Sequence, residues 1–461
     1  MNLDKIKKIH FVGIGGIGMS GIAEILHGRG MTVSGCDLKH SSATALLAGR
    51  GVDIHIGHDP AHLAGVDAVV VTAAVRGANA EVDTARADGV LVIRRKDLLA
   101  AIVNEKRAVG VSGTHGKTTT SAMIATVLED AGLDPTIIVG GMLRNFASNA
   151  KSGKGDVIVV EADEYDRTFH ELRPEIAVIT NIEADHLEYY GSFENIVEAF
   201  RIFTENVLPG GAIIGCVDDP AVAALLDRRG RGSARGDAPK IIRYGLGPGA
   251  DLTTRNLTFD ERGSSFEVEG VGFFKLFVPG EHNVRNALAV IAVARELGVG
   301  HDAIAAGLAK FLGVDRRFQI LGDYNGAIVV DDYAHHPTEI RATLSAARSG
   351  YPRRRVVALF QPHLYSRTRD FATEFGSSLA EADVALVAPI YAAREQPIDG
   401  VSSRMIAESA EGVEFIDRSH AEILNELRRR LQPNDVFIAM GAGDVHEIAE
   451  ALVRGEDGGG L

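Results

Sequence analysis

The stretch Gly110-Val111-Ser112-Gly113-Thr114-His115-Gly116-Lys117-Thr118-Thr119-Thr120 leads from an apolar run through a glycine loop into a helical pattern. In such a loop successive N–H groups cradle phosphates, the lysine supplies positive charge and the next hydroxyl can bind Mg²⁺. The spacing is not GxxxxGK[ST], whose first glycine would fall on Val111. The alternative is an ordinary helix that begins with a basic residue. The stretch predicts a phosphate-binding strand–loop–helix unit.

A second glycine loop, Gly13-Ile14-Gly15-Gly16-Ile17-Gly18, follows an apolar run near the start of the sequence. GxGxxG between a strand and a helix is typical of a diphosphate-binding Rossmann turn. Asp37 stands where a later carboxylate can accept hydrogen bonds from a ligand's hydroxyl or base edge. The alternative is a tight turn without a ligand, and the motif alone does not decide between NAD and a nucleotide sugar.

Three times, an apolar run is followed by a glycine-rich or polar turn and then by a helical pattern. These runs lie at 9–14, 108–111 and 327–330. A chain of 461 residues exceeds what one hydrophobic core usually supports. We therefore predict an α/β protein of three domains: a Rossmann-like N-terminal domain (1–106), a central P-loop ATPase-type domain (107–321) and a C-terminal Rossmann-like α/β domain (322–461).

Apolar runs between these points predict further elements. Strands are expected at 32–35, 52–56, 68–72, 90–93, 156–161, 176–180, 211–216, 355–360, 384–388, 413–416 and 436–440. A β-rich stretch at 252–278, a helix at 284–297, a solvated loop at 227–237 and a disordered tail at 456–460 complete the prediction.

Composition narrows the function classes. The net charge of −14 and the lack of a basic stripe disfavour nucleic-acid binding. Cys36 and Cys216 stand far apart without a CxxC or a neighbouring Cys/His partner, so the spacing indicates neither a disulfide framework nor a structural zinc site. No apolar run is long enough for a bilayer, and no signal peptide is recognisable. We expect a cytoplasmic enzyme without membrane insertion, as a monomer or homodimer.

Six further motifs follow the glycine loops in order. They are Glu161-Ala162-Asp163-Glu164, Thr180-Asn181-Ile182-Glu183-Ala184-Asp185-His186, Gly280-Glu281-His282-Asn283-Val284-Arg285-Asn286-Ala287-Leu288, Asp315-Arg316-Arg317-Phe318, Asp331-Asp332-Tyr333-Ala334-His335-His336-Pro337-Thr338-Glu339 and Phe360-Gln361-Pro362-His363-Leu364-Tyr365-Ser366-Arg367-Thr368-Arg369. Together with both loops they resemble the Mur ligase family over essentially the whole chain.

The resemblance implies an ATP-dependent amide ligase of peptidoglycan synthesis. ATP would phosphorylate the carboxylate of UDP-N-acetylmuramate, and the amine of L-alanine would attack the acyl phosphate. The N-terminal domain would bind the UDP-sugar, the central domain ATP with Mg²⁺, and the C-terminal domain the amino acid.

The same resemblance assigns site residues. The expected ATP-binding residues are Gly113, Thr114, Gly116, Lys117, Thr118, Thr119, Asn283, Arg317 and Asp332. The expected UDP-sugar-binding residues are Gly15, Gly16, Gly18, Asp37, Thr72 and His115. The amino-acid site would comprise Tyr333, His335, His363 and Arg367, and the Mg²⁺ site Thr118, Glu161 and His186. The direct catalytic roles fall to Lys117, Glu161, His186, His335 and Arg367.

Plainer interpretations stay open for several of these residues. Glu161 begins an acidic run of a kind that is often solvated, and Asn283 and Asp332 are also suited to helix caps. Arg317 belongs to an arginine pair, and Arg369 is an alternative to Arg367. Two departures from the family pattern are Thr72-Ala73, where we expect a serine pair, and Leu364, where some relatives have arginine.

Three other functions compete with the ligase hypothesis. An NAD-dependent oxidoreductase uses the first loop but not Lys117, whereas a nucleotide-driven switch uses Lys117 but not the first loop. Within the family, a ligase that attaches a recycled peptide would fit the histidine-rich loop at 333–336, although the first loop and Gln361-Pro362-His363 argue against it.

Overall fold

The computed structural model describes residues 3–72, 75, 78–231, 238–393 and 395–455. The chain divides into two compact units: Met1–Arg255, Val268–Gly272 and Arg285–Phe311 form the first, and Asn256–Glu267, Phe273–Val284 and Leu312–Leu461 form the second. The three-domain boundaries near Lys106 and Leu321 stay a prediction. Ala73, the end of the predicted loop at 232–237 and the predicted tail at 456–460 lie outside the described residues.

The first sheet of unit one is wholly parallel. Its strands, in the order β3-β2-β1-β4-β5, are β1 (Lys8–Val12), β2 (Thr32–Asp37), β3 (Asp53–Ile56), β4 (Ala68–Val71) and β5 (Leu91–Arg94). The connecting helices are α1 (Ile17–Gly28), α2 (Ser42–Gly49), α3 (Ala80–Ala87) and α4 (Arg95–Val103), with 3₁₀ turns at Leu3–Lys5 and Pro60–Leu63. The chain order reverses between β1 and β4, and such a switch point is where open α/β sheets bind ligands.

The second sheet of unit one has the order β12-β11-β10-β6-β9-β7-β8. Its strands are β6 (Arg107–Ser112), β7 (Thr136–Leu143), β8 (Ser148–Lys151), β9 (Val157–Glu161), β10 (Ile176–Ile179), β11 (Ala212–Cys216) and β12 (Lys240–Tyr244). Its helices are α5 (Lys117–Asp130), α6 (Leu187–Tyr190), α7 (Phe193–Glu205) and α8 (Pro220–Arg231), with a 3₁₀ segment at Tyr165–Glu171. Only β7 and β8 pair antiparallel. Since β6 lies between β10 and β9, the ends of both neighbours flank the loop after β6.

Helix α1 joins the two sheets of unit one. Asn149 on β8 donates from Nδ2 to the carbonyl of Ile17 at 2.8 Å, and Ser148 Oγ donates to Glu24 at 2.7 Å. A Cβ on Gly21 would lie 2.9 Å from Asn149 Nδ2, so glycine permits this close approach. The helix that follows the first glycine loop is therefore fixed to the β7–β8 hairpin of the next sheet.

A three-stranded sheet follows along the chain. It consists of β13 (Thr254–Asp260), β14 (Gly263–Val268) and β15 (Gly272–Leu276), and the chain then forms α9 (Glu281–Glu296) and α10 (His301–Ala309). Phe266 and Phe274 stack with their ring centroids 5.9 Å apart.

The large sheet of unit two has the order β16-β17-β21-β18-β19-β20. Its strands are β16 (Gln319–Tyr324), β17 (Ala327–Asp332), β18 (Arg355–Phe360), β19 (Val384–Val387), β20 (Val413–Phe415) and β21 (Asp435–Met440). Its helices are α11 (Pro337–Gly350), α12 (Tyr365–Leu379), α13 (Arg404–Glu408), α14 (His420–Arg430) and α15 (His446–Arg454). All neighbours are parallel except β16 and β17. Buried side chains cover both faces of this sheet.

The α/β fold class predicted from the sequence is confirmed, and some local predictions are wrong. The expected loop at 227–237 is helical as far as Arg231, because α8 buries Leu225 and Leu226 and no residue before Gly230 breaks its helical pattern. The strand predicted to end at residue 330 continues to Asp332. Among the described residues, no helix is both long and apolar enough to cross a lipid bilayer.

The packing of helix α7 can be tested through the free energy of unfolding. Its buried residues Ile196, Ala199, Phe200 and Phe203 recur at helical spacing, and the Phe203 ring stacks 5.2 Å from that of Phe169. We expect Phe203→Ala to lower the free energy of unfolding by about 3–5 kcal/mol, because it leaves a cavity. Urea denaturation measures this loss.

The matched control lies on the same helix. The side chain of Phe193 is 37% exposed, so Phe193→Ala should cost less than about 1 kcal/mol. Equal losses for both variants would contradict the packing described for α7.

Candidate active site

The loop between β6 and α5 is held by hydrogen bonds to the two residues that follow the neighbouring strand β10. The Thr114 N–H donates to the Asn181 carbonyl at 3.1 Å, and the His115 N–H donates to Asn181 Oδ1 at 2.8 Å. The His115 carbonyl accepts from Thr180 Oγ1 at 2.6 Å and from Asn181 Nδ2 at 3.1 Å. Thr180 and Asn181 thus fix the backbone direction of the phosphate loop.

Two glycines make this loop conformation possible. Gly113 has φ 141°, and a Cβ there would lie 1.9 Å from Thr180 Oγ1. Gly116 has φ 80° and caps α5, and a Cβ there would approach Asn286 Oδ1 to 3.1 Å. Side chains at either position would strain the backbone or displace its neighbours.

Lys117 begins α5 and lies across its own loop. Its Nζ donates to the carbonyls of Gly113 at 2.6 Å and Thr114 at 3.2 Å, and to Glu164 Oε1 at 2.8 Å. Both side chains of the ion pair are largely buried. The ammonium is therefore anchored beside the loop amides, where a phosphate would bind.

The charge of Lys117 is secured by the carboxylates around it. Burial alone would lower its pKa, but the negative charges of Glu164, Asp163 and Glu161 outweigh burial and raise the pKa above its ordinary value. Lys117 is therefore a cation at neutral pH.

The expected Mg²⁺ ligands Thr118, Glu161 and His186 lie at the ends of three elements: the start of α5, the end of β9 and the start of α6. Thr118 and Thr119 are in the first turn of α5, and Glu161 ends β9, where its Oε2 accepts the Gly140 N–H at 2.8 Å. His186 caps α6 with φ 54°. Hydroxyl and carboxylate oxygens are the ligands that Mg²⁺ prefers, so Thr118 and Glu161 fit this ion better than the imidazole does.

The first glycine loop follows β1 at the switch point of its sheet. The Gly15 N–H donates to Asp37 Oδ2 at 2.8 Å, and a Cβ on Gly15 would lie 2.8 Å from the same oxygen. The Leu38 N–H donates to Asp37 Oδ1, also at 2.8 Å. Asp37, at the end of β2, therefore braces the loop backbone. Gly16 caps α1.

Two side chains approach this loop from the other half of the sheet. Thr72 follows β4, and its methyl group lies 3.7 Å from the position of a Cβ on Gly13. The guanidinium of Arg95, at the start of α4, lies 2.8 Å from the position of a Cβ on Gly18. Sequence reasoning missed Arg95, although the Arg94-Arg95 pair at a strand end was a usable signal. His115, expected at the UDP-sugar site, lies in the second glycine loop.

In unit two, Asp332 ends β17 with its carboxylate buried. Its oxygens accept from the Phe318 N–H at 2.9 Å, the Ala334 N–H at 2.8 Å and Thr343 Oγ1 at 3.1 Å. Burial raises the pKa of Asp332, and Arg317 opposes that rise. The carboxylate is thus engaged in shaping the loop after β17, a role that the expected binding of ATP did not include.

The loop after β17 brings several expected residues together. His335 Nδ1 lies 3.0 Å from the Tyr333 carbonyl, and the His335 N–H donates to Glu339 Oε2 at 2.9 Å. Arg317 lies over the Tyr333 ring, 5.3 Å from its centroid, and 3.3 Å from Glu339 Oε1. Glu339, in the first turn of α11, was not singled out from the sequence, although it is part of the motif.

The loop after β18 brings His363 close to His335 of the loop after β17. The rings of His363 and His335 lie 6.3 Å apart, and His363 also stacks 5.9 Å from Tyr391. Arg367 is half-buried in the first turn of α12, whereas Arg369 is exposed and paired with Asp370 at 2.7 Å. This arrangement favours Arg367 over Arg369 as a binding residue.

Asn283 lies at the start of α9. It is buried, and its Nδ2 donates to the Pro279 carbonyl at 2.6 Å. This side chain donates to a carbonyl, whereas a helix cap accepts a backbone N–H, so the contact does not bear out the cap interpretation. A role in binding ATP stays a prediction.

Comparisons with known proteins cover nearly the whole chain. Residues 8–107 match the model of the Mur ligase family, catalytic domain, residues 111–294 that of the Mur ligase middle domain, and residues 316–443 that of the Mur ligase, glutamate ligase domain.

Individual relatives agree with the family models. The chain is 44% identical to a UDP-N-acetylmuramate–L-alanine ligase of Salinibacter ruber, over 98% of this chain and 95% of that one. It is 45% identical to the protein of the same name from Trichlorobacter lovleyi, over 97% and 99%. A crystal structure of a UDP-N-acetylmuramate-alanine ligase from Thermotoga maritima superimposes with a TM-score of 0.80 at 31% identity, covering 97% and 98%. The chain belongs to the Mur ligase family.

Proposed function

We propose that this enzyme joins L-alanine to the carboxylate of UDP-N-acetylmuramate, with conversion of ATP to ADP and phosphate, in peptidoglycan synthesis. The observation that carries the proposal is identity of 44–45% over nearly the full length of ligases with this activity in their names. The phosphate loop with its charged Lys117 supplies the chemistry that such a ligase requires.

In the first step the muramate carboxylate attacks the γ-phosphorus of ATP and ADP leaves. Lys117 and the loop amides of Gly113 to Thr119 hold the phosphates and offset the charge that develops on the transferring group. To bind a phosphate, the ammonium exchanges its contacts with the Gly113 and Thr114 carbonyls while Glu164 keeps it in place. Asn283, Arg317 and Asp332 are proposed to contact the rest of ATP.

Mg²⁺ is the metal we propose, held by Thr118 and Glu161, with His186 as a further candidate. When bound, it would withdraw charge from the phosphate oxygens. A divalent cation would also offset the carboxylates around Lys117, whose negative charges would otherwise repel the triphosphate.

The first glycine loop is the proposed site of the UDP diphosphate. The N-terminus of α1 and the loop amides suit an anion, and Arg95 places a positive charge beside Gly18. Asp37 keeps the Gly15 amide in position. Thr72 and His115 stay proposed UDP-sugar residues.

In the second step the alanine amine attacks the acyl phosphate and phosphate leaves. Arg367 is proposed to bind the alanine carboxylate, because a guanidinium can form two parallel hydrogen bonds with it. His335, oriented by the Tyr333 carbonyl and Glu339, is proposed to orient or deprotonate the amine, beside His363.

An ATP-consuming reaction on a nucleotide sugar leads us to place the enzyme in the cytoplasm, as a monomer or homodimer.

The oxidoreductase and switch hypotheses each leave one glycine loop unused. A solved murein peptide ligase from Psychrobacter arcticus, with a TM-score of 0.70 at 26% identity, keeps peptide attachment as the alternative within the family.

Phosphate release tests the proposal. ATP should be converted to ADP and phosphate only when both UDP-N-acetylmuramate and L-alanine are present, and the product should be UDP-N-acetylmuramoyl-L-alanine. Faster turnover with a tripeptide than with L-alanine would favour the alternative ligase, and turnover without an amine would contradict both.

Lys117→Ala should lower kcat by about 100-fold or more, because the phosphates lose their closest cation. The substitution also leaves Glu164 buried without its cation, so stability should fall. The double variant Lys117→Ala/Glu164→Gln should recover thermal stability but not the rate. Recovery of both would mean that Lys117 serves the fold rather than the phosphates.

Asp37→Ala should raise the Kd for UDP-N-acetylmuramate by about tenfold or more and leave ATP binding unchanged, because Gly15 loses its brace. Asp37→Asn keeps an oxygen acceptor for the Gly15 N–H and should lose less. Separate titrations of the two ligands measure this. An equal loss for both ligands, or a loss for ATP alone, would contradict this assignment of the two nucleotide sites.

Arg367→Lys should raise the KM for L-alanine by about tenfold and slow turnover, because an ammonium cannot reproduce the two parallel hydrogen bonds. The matched control Arg369→Lys should change neither value, since Arg369 is exposed and paired with Asp370. Steady-state kinetics with varied alanine decide, and an unaltered KM in Arg367→Lys would remove this residue from the site.

A further inference from the structure

A cluster of metal-ligating side chains lies in the first sheet of unit one, apart from the phosphate loop. Cys36 on β2, His58 after β3 and Glu81 on α3 place one potential ligand atom each within 4.8 Å of the others. Cys36 Sγ lies 2.8 Å from Glu81 Oε2 and 3.1 Å from His58 Nδ1, and those two atoms are 3.0 Å apart. A thiol, an imidazole and a carboxylate therefore converge on one point.

Two further histidines lie beside the other oxygen of the same carboxylate, and one of them, His62, hydrogen-bonds it. His62 Nδ1 lies 2.6 Å from Glu81 Oε1, and His10 Nε2 lies 3.5 Å from it. His10 is in turn fixed by Ser34 Oγ, 2.9 Å from its Nδ1. In metal sites a ligating carboxylate is commonly oriented by such outer hydrogen bonds. Glu81 thus faces four potential ligand or orienting groups, with Cys36 and His58 beside one oxygen and His62 and His10 beside the other.

Burial and access also suit a bound ion. The side chains of Glu81 and Cys36 are buried, whereas that of His58 is 24% exposed, so an ion can enter past the imidazole. Burial and the neighbouring Glu81 carboxylate raise the pKa of the Cys36 thiol. A cation would reverse this preference, since binding releases the thiol proton to solvent and leaves a thiolate ligand.

We propose that Cys36, His58 and Glu81 form a binding site for one zinc-like divalent cation, with His62 and His10 orienting Glu81 and a solvent molecule as fourth ligand. A Cys, His and carboxylate set is typical of zinc and poor for Mg²⁺. Ligand atoms around tetrahedral zinc lie about 3.3–3.6 Å apart, so the three distances need to lengthen by about 0.3–0.8 Å.

Local sequence spacing indicated no zinc site, because these ligands come from three separate elements. The three ligands lie beneath the first glycine loop, so a bound ion would also affect that loop. The Cys36 carbonyl accepts the N–H groups of Gly13 at 2.8 Å and Ile14 at 3.0 Å. An ion that fixes Cys36 therefore also steadies the start of the loop proposed to bind the UDP diphosphate.

Cobalt substitution tests the site in the full-length protein, under a phosphine reductant and with excess Mg²⁺. Co²⁺ should bind with one equivalent and give a thiolate-to-cobalt charge-transfer band, which one equivalent of Zn²⁺ abolishes. The sequence has only two cysteines, so Cys36→Ser should remove the band and Cys216→Ser should keep it. If Cys36→Ser fails to fold, survival of the band in Cys216→Ser still assigns it to Cys36.

His62→Ala should keep the band and weaken zinc binding by about 10–100-fold, because Glu81 loses an orienting contact. Absence of a stoichiometric thiolate band in the unmodified protein, or its loss in Cys216→Ser, would overturn the proposal. The cluster would then be a buried hydrogen-bond network around Glu81.

Discussion

The phosphate loop depends on one constraint, the pairing of its backbone with the two residues that follow β10. Thr180 and Asn181 bind both sides of the His115 peptide, and glycine at 113 permits that approach. Because β10 and β9 flank β6, the same sheet also places Glu161 beside the loop. The cation and the carboxylates of the site are thus positioned by strand order rather than by loop flexibility.

The two glycine loops are mechanically connected. Helix α1, which starts at the first loop, contacts the β7–β8 hairpin through Asn149, and the Gly140 N–H on β7 binds Glu161. The proposed UDP-sugar site and the proposed Mg²⁺ ligand therefore share one packed framework. For acyl transfer such rigidity matters, since misplacement of the carboxylate by about 1 Å can cost two orders of magnitude in rate.

Sequence patterns predicted the α/β fold and both loops because glycines, apolar strands and Lys117 are adjacent in the chain. They missed what long-range folding brings together. The role of Glu164 as the partner of Lys117 was hidden in an acidic run, and Arg95 stands far from Gly18 in sequence. The extra residues of β17 and α8 were also missed, because their polar character resembles that of loops. The cluster of Cys36, His58 and Glu81 was missed for the same reason as Arg95, because its residues are far apart in the sequence.

In the proposed mechanism, ATP activates the muramate carboxylate as an acyl phosphate before alanine attacks. The most direct measurement uses UDP-N-acetylmuramate labelled with ¹⁸O in that carboxylate and determines the isotope content of the released phosphate. We expect one carboxylate oxygen in each phosphate formed during turnover with L-alanine. Phosphate without ¹⁸O would show that water, rather than the carboxylate, receives the phosphoryl group, and would contradict the proposed reaction.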